Sequence, residues 1–261
     1  MVKNRSLQEL LPETYQSQGL RKLWRTHSDS VNKALIARWR PAEQMDTLLK
    51  TDLFDEAVSD GLSPLLNSLA KRVFYIDSAL KVHEMAKYRY SRLQTIGADV
   101  RHLPFADSAF DGIVSNSTLD HFESPGDFLS SLQELFRVLR PGGHMVLTLD
   151  NLSNPMILLR NRLPYPLLKW LKVVPYYVGF TLRANRLGDL LKETGFEVLE
   201  VSAVMHCPRM LAVTIARWVE KHTSPGTQRS FLRLLMAFEG LSCLPTRFLT
   251  GYFVAVKVRR R

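Results

Sequence analysis

Residues 109–149 read AFDGIVSNSTLDHFESPGDFLSSLQELFRVLRPGGHMVLTL, and the class of fold is most evident from this part of the sequence. It opens with an apolar run at 109–115 that is typical of a buried strand. The apolar residues of 127–139 then recur on one face of a helix, which Arg140-Pro141-Gly142-Gly143 ends. A second apolar run at 144–149 predicts another strand. Strand, helix and strand in this order predict an α/β unit with parallel strands.

The same alternation continues on both sides of this unit. Further strands are predicted at 48–53, 72–76, 196–204 and 251–258. Further helices are predicted at 62–69, 78–89, 186–194, 209–222 and 230–238. The chain is therefore expected to form an α/β fold built on a parallel sheet.

Three segments lie outside this alternation. Residues 1–45 are polar and basic, and they predict one or two helices packed outside the main core. Residues 46–261 form the main domain, with a helical insertion at 207–250. Residues 155–186 carry four prolines among apolar and basic residues, and they predict a lid insertion over the strand ends. A packed extra subdomain is the alternative for this lid.

Composition limits the class of protein. The chain has 261 residues, 46% of them hydrophobic, and 35 Lys and Arg against 25 Asp and Glu give a net charge of +10. This charge allows nucleic acid, an anionic membrane or an anionic substrate as a partner. Two cysteines build no disulfide framework, and no metal site is predicted. Because no secretory or membrane-spanning pattern is visible, we expect a cytoplasmic protein that can lie peripherally on a membrane.

Acidic residues gather after the first predicted strand. Asp52, Asp55, Glu56 and Asp60 lie close together in a chain that is otherwise basic. Ligands of parallel sheets bind at the carboxyl ends of the strands, where this loop would lie. Clustered carboxylates suit a cationic ligand and repel a pyrophosphate. A solvated acidic turn is the alternative.

Several short motifs carry a family resemblance. LPFADSAFD, SNSTLDHF and LRPGG occur between residues 97 and 151, and their order and spacing resemble the class I S-adenosylmethionine-dependent methyltransferases of the small-molecule "type 11" group. The resemblance covers about 48–204 and 251–258. It implies a Rossmann-like, doubly wound, mostly parallel seven-stranded sheet with helices on both faces, and S-adenosylmethionine as cofactor. The chain departs from the family after the first strand, where residues 51–61 keep only Gly61 of the usual glycine-rich loop.

The resemblance also implies roles for individual residues. The Asp77 carboxylate would accept hydrogen bonds from both ribose hydroxyls, with a helix N-cap as the alternative role. Asp99 would accept from the adenine amino group and Val100 would offer its backbone N–H, with an ordinary turn as the alternative for Asp99. Asn116 would lie beside the methionine part. The predicted cofactor-binding set is Asp52, Phe54, Asp55, Asp77, Ser78, Asp99, Val100 and Asn116.

His121 is the predicted catalytic base, because a hydroxyl acceptor must lose a proton and histidine commonly takes it. Asp120 would assist His121 only if the backbone bends between them. A structural role for His121, capping the next segment, is the alternative.

The expected activity is methyl transfer to a small, lipophilic or natural-product-like acceptor. A non-catalytic binding protein and an RNA methyltransferase are the alternatives. No specific nucleic-acid partner is expected, and the oligomeric state is left open. The aromatic residues of 155–186, Trp170, Tyr176, Tyr177 and Phe180, lie among Lys and Arg and predict a pocket lid or peripheral membrane contact.

Overall fold

A seven-stranded sheet organises the computed structural model, which describes residues 22–163 and 179–261. The strands are β1 (Met45–Lys50), β2 (Ala70–Asp77), β3 (Gln94–Gly97), β4 (Phe110–Asn116), β5 (Leu139–Asp150), β6 (Phe196–Val204) and β7 (Phe253–Arg260). Their order across the sheet is β3-β2-β1-β4-β5-β7-β6, and β7 runs antiparallel to both of its neighbours. The predicted Rossmann-like, mostly parallel fold is confirmed.

One helix precedes the first strand, and the others lie in the connections between strands. They are α1 (Lys22–Trp39), α2 (Phe54–Val58), α3 (Ser63–Leu69), α4 (Leu80–Arg89), α5 (Pro125–Val138), α6 (Pro155–Arg162), α7 (Ala184–Glu193), α8 (Arg209–His222), α9 (Pro225–Ala237) and α10 (Arg247–Thr250). Two 3₁₀ helices span Leu119–His121 and Phe238–Cys243. The helical character predicted for 207–250 is therefore confirmed, since α8, α9 and α10 fill most of that segment.

Several predicted element boundaries are shifted. The first strand covers 45–50 instead of 48–53, because the Asp111 carboxylate on β4 accepts hydrogen bonds from the backbone N–H groups of Asp46 and Thr47, both at 2.7 Å. α9 begins five residues before its predicted start, where the Ser224 hydroxyl caps it by accepting from the Thr227 N–H. β3 was not predicted, because this short edge strand carries no buried apolar run.

Apolar side chains cover both faces of the sheet. Adjacent residues of one strand point to opposite faces, as Leu48 and Leu49 do on β1, and each joins a separate buried cluster. α5 packs on one face and α1 belongs to the cluster on the other, where Trp39 is 2% exposed. The expectation that the N-terminal helix lies outside the main core is wrong, because the buried stripe of α1 completes that core.

The segment predicted as a lid is described only in part. α6 follows β5, and α7 begins at Ala184. Phe180 contacts Phe128 of α5, with ring centroids 5.4 Å apart. Trp170, Tyr176 and Tyr177 lie outside the described residues, so the lid remains a prediction. Among the residues that are described, no helix combines the length and apolarity that crossing a bilayer requires.

α1 buries two ionisable side chains, Asp29 and His27, whose effects on stability oppose each other. Burial raises the pKa of Asp29 to about 6, and the nearby Asp55 carboxylate adds to this shift. Burial lowers the pKa of His27 to about 4. Because its pKa is raised, Asp29 favours the folded state most at pH values below 3.8, and this contribution to the free energy of unfolding is lost as the pH rises towards 6. The lowered pKa of His27 gives stability that is lost as the pH falls from 6.5 towards 4. The two dependences therefore largely cancel between about pH 4 and 6.

The Asp29→Asn variant is expected to break this balance. Its amide oxygen can still accept the Ser59 hydroxyl, which lies 2.9 Å from Asp29 Oδ2. The free energy of unfolding should then increase by about 1–3 kcal/mol near pH 7, because no carboxylate has to be buried in its charged form. It should also rise more steeply between about pH 4 and 6, because the pH dependence of His27 is no longer offset. Urea denaturation at several pH values measures this. Asp60→Asn, at a side chain that is 74% exposed, is the matched control. If stability varied with pH in this variant as it does in the unmodified chain, Asp29 would not have the raised pKa described above.

Candidate active site

A cavity of about 770 Å³ opens at the carboxyl edge of the sheet. Residues that end or follow β1, β2, β3, β4 and β5 line it, which is where α/β sheets bind their ligands. All ten predicted site residues are among its lining residues: Asp52, Phe54, Asp55, Asp77, Ser78, Asp99, Val100, Asn116, Asp120 and His121. The structure therefore brings the whole predicted set together, and the role of each member stays a prediction.

Lys50, at the end of β1, organises the acidic loop that follows it. Its ammonium group is fully buried and lies 2.8 Å from Glu56 Oε2 and 2.9 Å from Asp52 Oδ1. The second oxygen of Glu56 accepts the Leu62 N–H at 2.9 Å. Burial alone would lower the pKa of Lys50, but the surrounding carboxylates outweigh it and hold that pKa above its ordinary value. Lys50 was predicted only as part of a strand, and its role in holding the loop was not predicted.

This charge cluster takes the structural place of a glycine-rich loop. Glu56 is fully buried, so the alternative of a solvated acidic turn is wrong for the inner part of the loop. Gly61 has a φ of +53°, and a Cβ there would lie 2.6 Å from Glu56 Oε1. The one glycine of the loop is therefore required for close approach to the buried carboxylate.

Asp52 carries an unsatisfied acceptor. Its Oδ2 atom is buried without a hydrogen-bond partner among the described residues, although Asp52 lines the cavity. Burial raises the pKa of Asp52 to about 7, against the opposing charge of Lys50. A buried acceptor without a partner is costly, and a positively charged or N–H-bearing ligand group would satisfy it.

Arg25 and Asn116 hold the neighbouring Asp55 carboxylate. Arg25, on α1, forms an ion pair with Asp55 and stacks over the Phe54 ring at 5.0 Å. The Asn116 side chain also hydrogen-bonds Asp55, and its Oδ1 accepts the Thr148 hydroxyl at 2.8 Å. Burial would raise the pKa of Asp55, but Arg25 and Lys50 keep it below its usual range. Arg25 was missed because α1 was expected to lie outside the core.

Asp77 joins the loops that follow β1 and β2. One of its carboxylate oxygens accepts the Leu53 N–H at 3.2 Å and the other accepts the Ala79 N–H at 2.9 Å. The N-cap alternative is wrong, because Ala79 is the N-cap of α4 and no side chain caps that helix. Each carboxylate oxygen can accept a further hydrogen bond, so the pair remains suited to a ribose diol.

Asp99 forms both a turn and a cavity wall. It accepts hydrogen bonds from the backbone N–H and the guanidinium of Arg101, whose Nη2 lies 2.6 Å from Asp99 Oδ2. Arg101 also pairs with Asp127 at 2.9 Å. The hydrogen bonds from Arg101 hold the pKa of Asp99 below its usual range. The turn that was the alternative for Asp99 therefore exists, and it lies against the cavity with Val100 beside it.

His121 and Asp120 lie on the 3₁₀ helix after β4. Asp120 Oδ2 accepts the Ser117 hydroxyl at 2.8 Å and the Asp150 N–H at 3.2 Å, while Oδ1 is buried without a partner in the described part of the chain. Burial and the nearby Asp150 carboxylate raise the pKa of Asp120. His121 is exposed on the cavity wall. It does not cap the next helix, because Ser124 caps α5.

Residues 179–180, within the predicted lid segment, pair with this 3₁₀ helix through backbone hydrogen bonds. The Gly179 N–H donates to the Asp120 carbonyl at 3.0 Å, and the Phe180 N–H donates to the Phe122 carbonyl. A Cβ at Gly179 would lie 2.2 Å from the Phe122 carbonyl oxygen, so only glycine allows this approach. The position of the His121 turn therefore depends on the end of the predicted lid.

Comparisons with known proteins agree with this geometry. A family model described as "Methyltransferase domain" matches residues 58–147. A Mycolicibacterium smegmatis protein named "Probable S-adenosylmethionine-dependent methyltransferase" is 28% identical over 156 residues, 59% of this chain and 55% of that protein. A demethylmenaquinone methyltransferase of Paenarthrobacter aurescens is 28% identical over 134 residues, 50% of this chain and 51% of that protein. The chain thus spans about half the length of these curated relatives.

A solved structure shares the fold over nearly the whole chain. The S-adenosylmethionine-dependent methyltransferase TM1293 of Thermotoga maritima superposes with a TM-score of 0.60 at 15% identity, covering 98% of this chain and 100% of that one. The sheet order and the cavity at its carboxyl edge define a Rossmann-like α/β protein of the class I methyltransferase type. The matching domain model and the relatives support the resemblance to class I S-adenosylmethionine-dependent methyltransferases that the sequence motifs indicated.

Proposed function

We propose that this chain transfers the methyl group of S-adenosylmethionine to a hydroxyl group of a small, lipophilic acceptor. One observation carries the proposal: a single cavity holds the acidic loop, Asp77 and His121. Its volume of about 770 Å³ lies within the range of small-molecule sites.

The donor set suits the cofactor. S-adenosylmethionine, when bound, supplies an electrophilic methyl group on a sulfonium that stands next to an ammonium and a carboxylate. The unpartnered Oδ2 of Asp52 fits such a cationic group, and the other acids of the loop add to the negative potential. Asp77 would accept the two ribose hydroxyls through charge-assisted hydrogen bonds, while Asp99 and the Val100 N–H would flank the adenine.

The remaining lining residues suit an apolar acceptor. Trp24, Phe54, Phe122, Met205 and Phe253 contribute aromatic and apolar surface to the cavity. Two relatives are named as O-methyltransferases, which favours a hydroxyl acceptor, and a phenolic or quinol-like ring would suit this surface. Holding the acceptor oxygen close to the methyl group supplies much of the rate in such a displacement.

His121 would accept the proton that the acceptor hydroxyl loses. Asp120 would position the turn that carries His121, since its carboxylate holds both Ser117 and the backbone of β5. Peripheral membrane contact through residues 155–186 stays a prediction of the sequence.

The test is a methyl-transfer assay with labelled S-adenosylmethionine and a panel of acceptors. The panel contains alkylated phenols and hydroquinones, primary amines and total RNA. Label in a phenol or hydroquinone supports the proposal. Label in RNA alone, or cofactor binding without label in any acceptor, would overturn it in favour of an RNA methyltransferase or a non-catalytic binding protein.

A further inference from the structure

The outer face of α8 exposes large apolar side chains. Leu211, Ile215 and Trp218 are 65%, 46% and 60% exposed. Their spacing places them in one stripe along the helix. The opposite face, with Ala212 and Ala216, is buried and belongs to the core that α1 completes. The exposed stripe is therefore not required for the packing of α8.

Exposed basic side chains lie on α8 beside this stripe and on the neighbouring helix α9. Arg217 and Lys221 lie on α8, and Arg229 and Arg233 lie on α9, all four exposed and none in an ion pair within the described ranges. Residues 207–250 contain only two acids, Glu220 and Glu239. Glu220 accepts the Leu23 N–H, and Glu239 accepts the N–H groups of Met205 and His206. Both carboxylates are thus engaged by backbone, and the outer surface of α8 and α9 combines apolar side chains with unpaired cations.

We propose that this surface, the α8–α9 face, docks on an anionic lipid surface. Apolar side chains with flanking Lys and Arg are the pattern of helices that lie in the interface of an anionic bilayer. Tryptophan favours this location because its ring is apolar and its N–H is polar. A second copy of the chain fits less well, because a symmetric contact would bring these unpaired cations together.

The α8–α9 face begins beside the cavity. Arg209, the first residue of α8, lines the cavity and lies 4.6 Å from the Tyr252 ring centroid. Met210 and Leu211, the next residues, are both exposed. Docking would therefore hold the cavity close to the lipid surface, from which a lipophilic acceptor could enter. This last consequence rests on the proposed function, whereas docking itself does not.

Vesicle sedimentation tests the docking. The full chain is mixed with vesicles of phosphatidylcholine alone or with an equal part of phosphatidylglycerol. Binding is expected only to the anionic vesicles, and Arg217→Glu/Lys221→Glu should weaken it at least about tenfold. Leu211→Ser/Trp218→Ser should also weaken it. Arg72→Glu/Arg92→Glu, which reverses two exposed charges of β2 and the loop after α4, is the matched control and should bind within about twofold of the unmodified chain.

Three results would overturn docking at this face. Equal loss of binding in the control variant is the first, because net charge alone would then account for the attraction to vesicles. Failure to bind anionic vesicles is the second. The third is a dimer in light scattering that Leu211→Ser/Trp218→Ser converts to a monomer, which would assign the face to a second copy instead. Because sedimentation needs neither cofactor nor turnover, its result is independent of the methyl-transfer assay.

Discussion

Replacing Lys50 with methionine is expected to lower the free energy of unfolding by about 3–5 kcal/mol. The ammonium group of Lys50 lies between carboxylates that the fold buries with it, and Glu56 is as fully buried as Lys50 itself. Removing the cation leaves the fully buried Glu56 charge uncompensated and takes the ammonium partner from Asp52. Urea denaturation measures the effect as a shift of the midpoint.

Two further variants make this result specific. Lys71→Met removes an exposed lysine that pairs with Asp46 at 2.8 Å, and it should leave the midpoint unchanged. Adding Glu56→Gln to Lys50→Met should recover part of the loss, because the amide can still hold the Leu62 N–H without a buried charge. Equal stability of Lys50→Met and the unmodified chain would show that Lys50 does not hold the loop.

His121→Gln is expected to lower kcat by about 10²–10⁴-fold with an acceptor found in the methyl-transfer assay, because the hydroxyl would lose its proton acceptor. Affinity for S-adenosylmethionine should stay unchanged, since none of the predicted cofactor contacts involves His121. His102→Gln, an exposed histidine that does not line the cavity, is the control and should keep full activity. A kcat for His121→Gln equal to that of the control would remove His121 from the reaction.

Much of the fold could be predicted because hydrophobic periodicity is local. The β6 strand and the α8 helix follow from the spacing of their own residues and were predicted at their observed bounds. β3 and the burial of α1 depend on neighbours that the chain supplies elsewhere. A short polar edge strand has no hydrophobic periodicity to detect. The apolar stripe of α1 predicts a buried face, but it does not show which part of the protein covers that face.

In the candidate site, too, features set by local sequence were predicted and features set by tertiary contacts were not. Its ten predicted residues could be found because parallel strands end at one edge, so polar residues that follow them converge. Lys50, Arg25 and Arg101 were missed because their partners are set by tertiary structure. The sequence gives one weak indication of the role of Lys50. A lysine inside an apolar strand that is followed by several acidic residues indicates a buried network of ion pairs. Nothing local marks Arg25 as the partner of Asp55, thirty residues away.

We propose that the acidic loop centred on Lys50 binds S-adenosylmethionine in place of a glycine-rich loop. Calorimetric titration with S-adenosylmethionine and S-adenosylhomocysteine tests this binding. We expect micromolar binding that Asp77→Ala weakens about a hundredfold, since two charge-assisted hydrogen bonds would be lost. Asp60→Ala, on the exposed end of the same loop, should bind as the unmodified chain does. No binding of either ligand to a folded sample would contradict the claim.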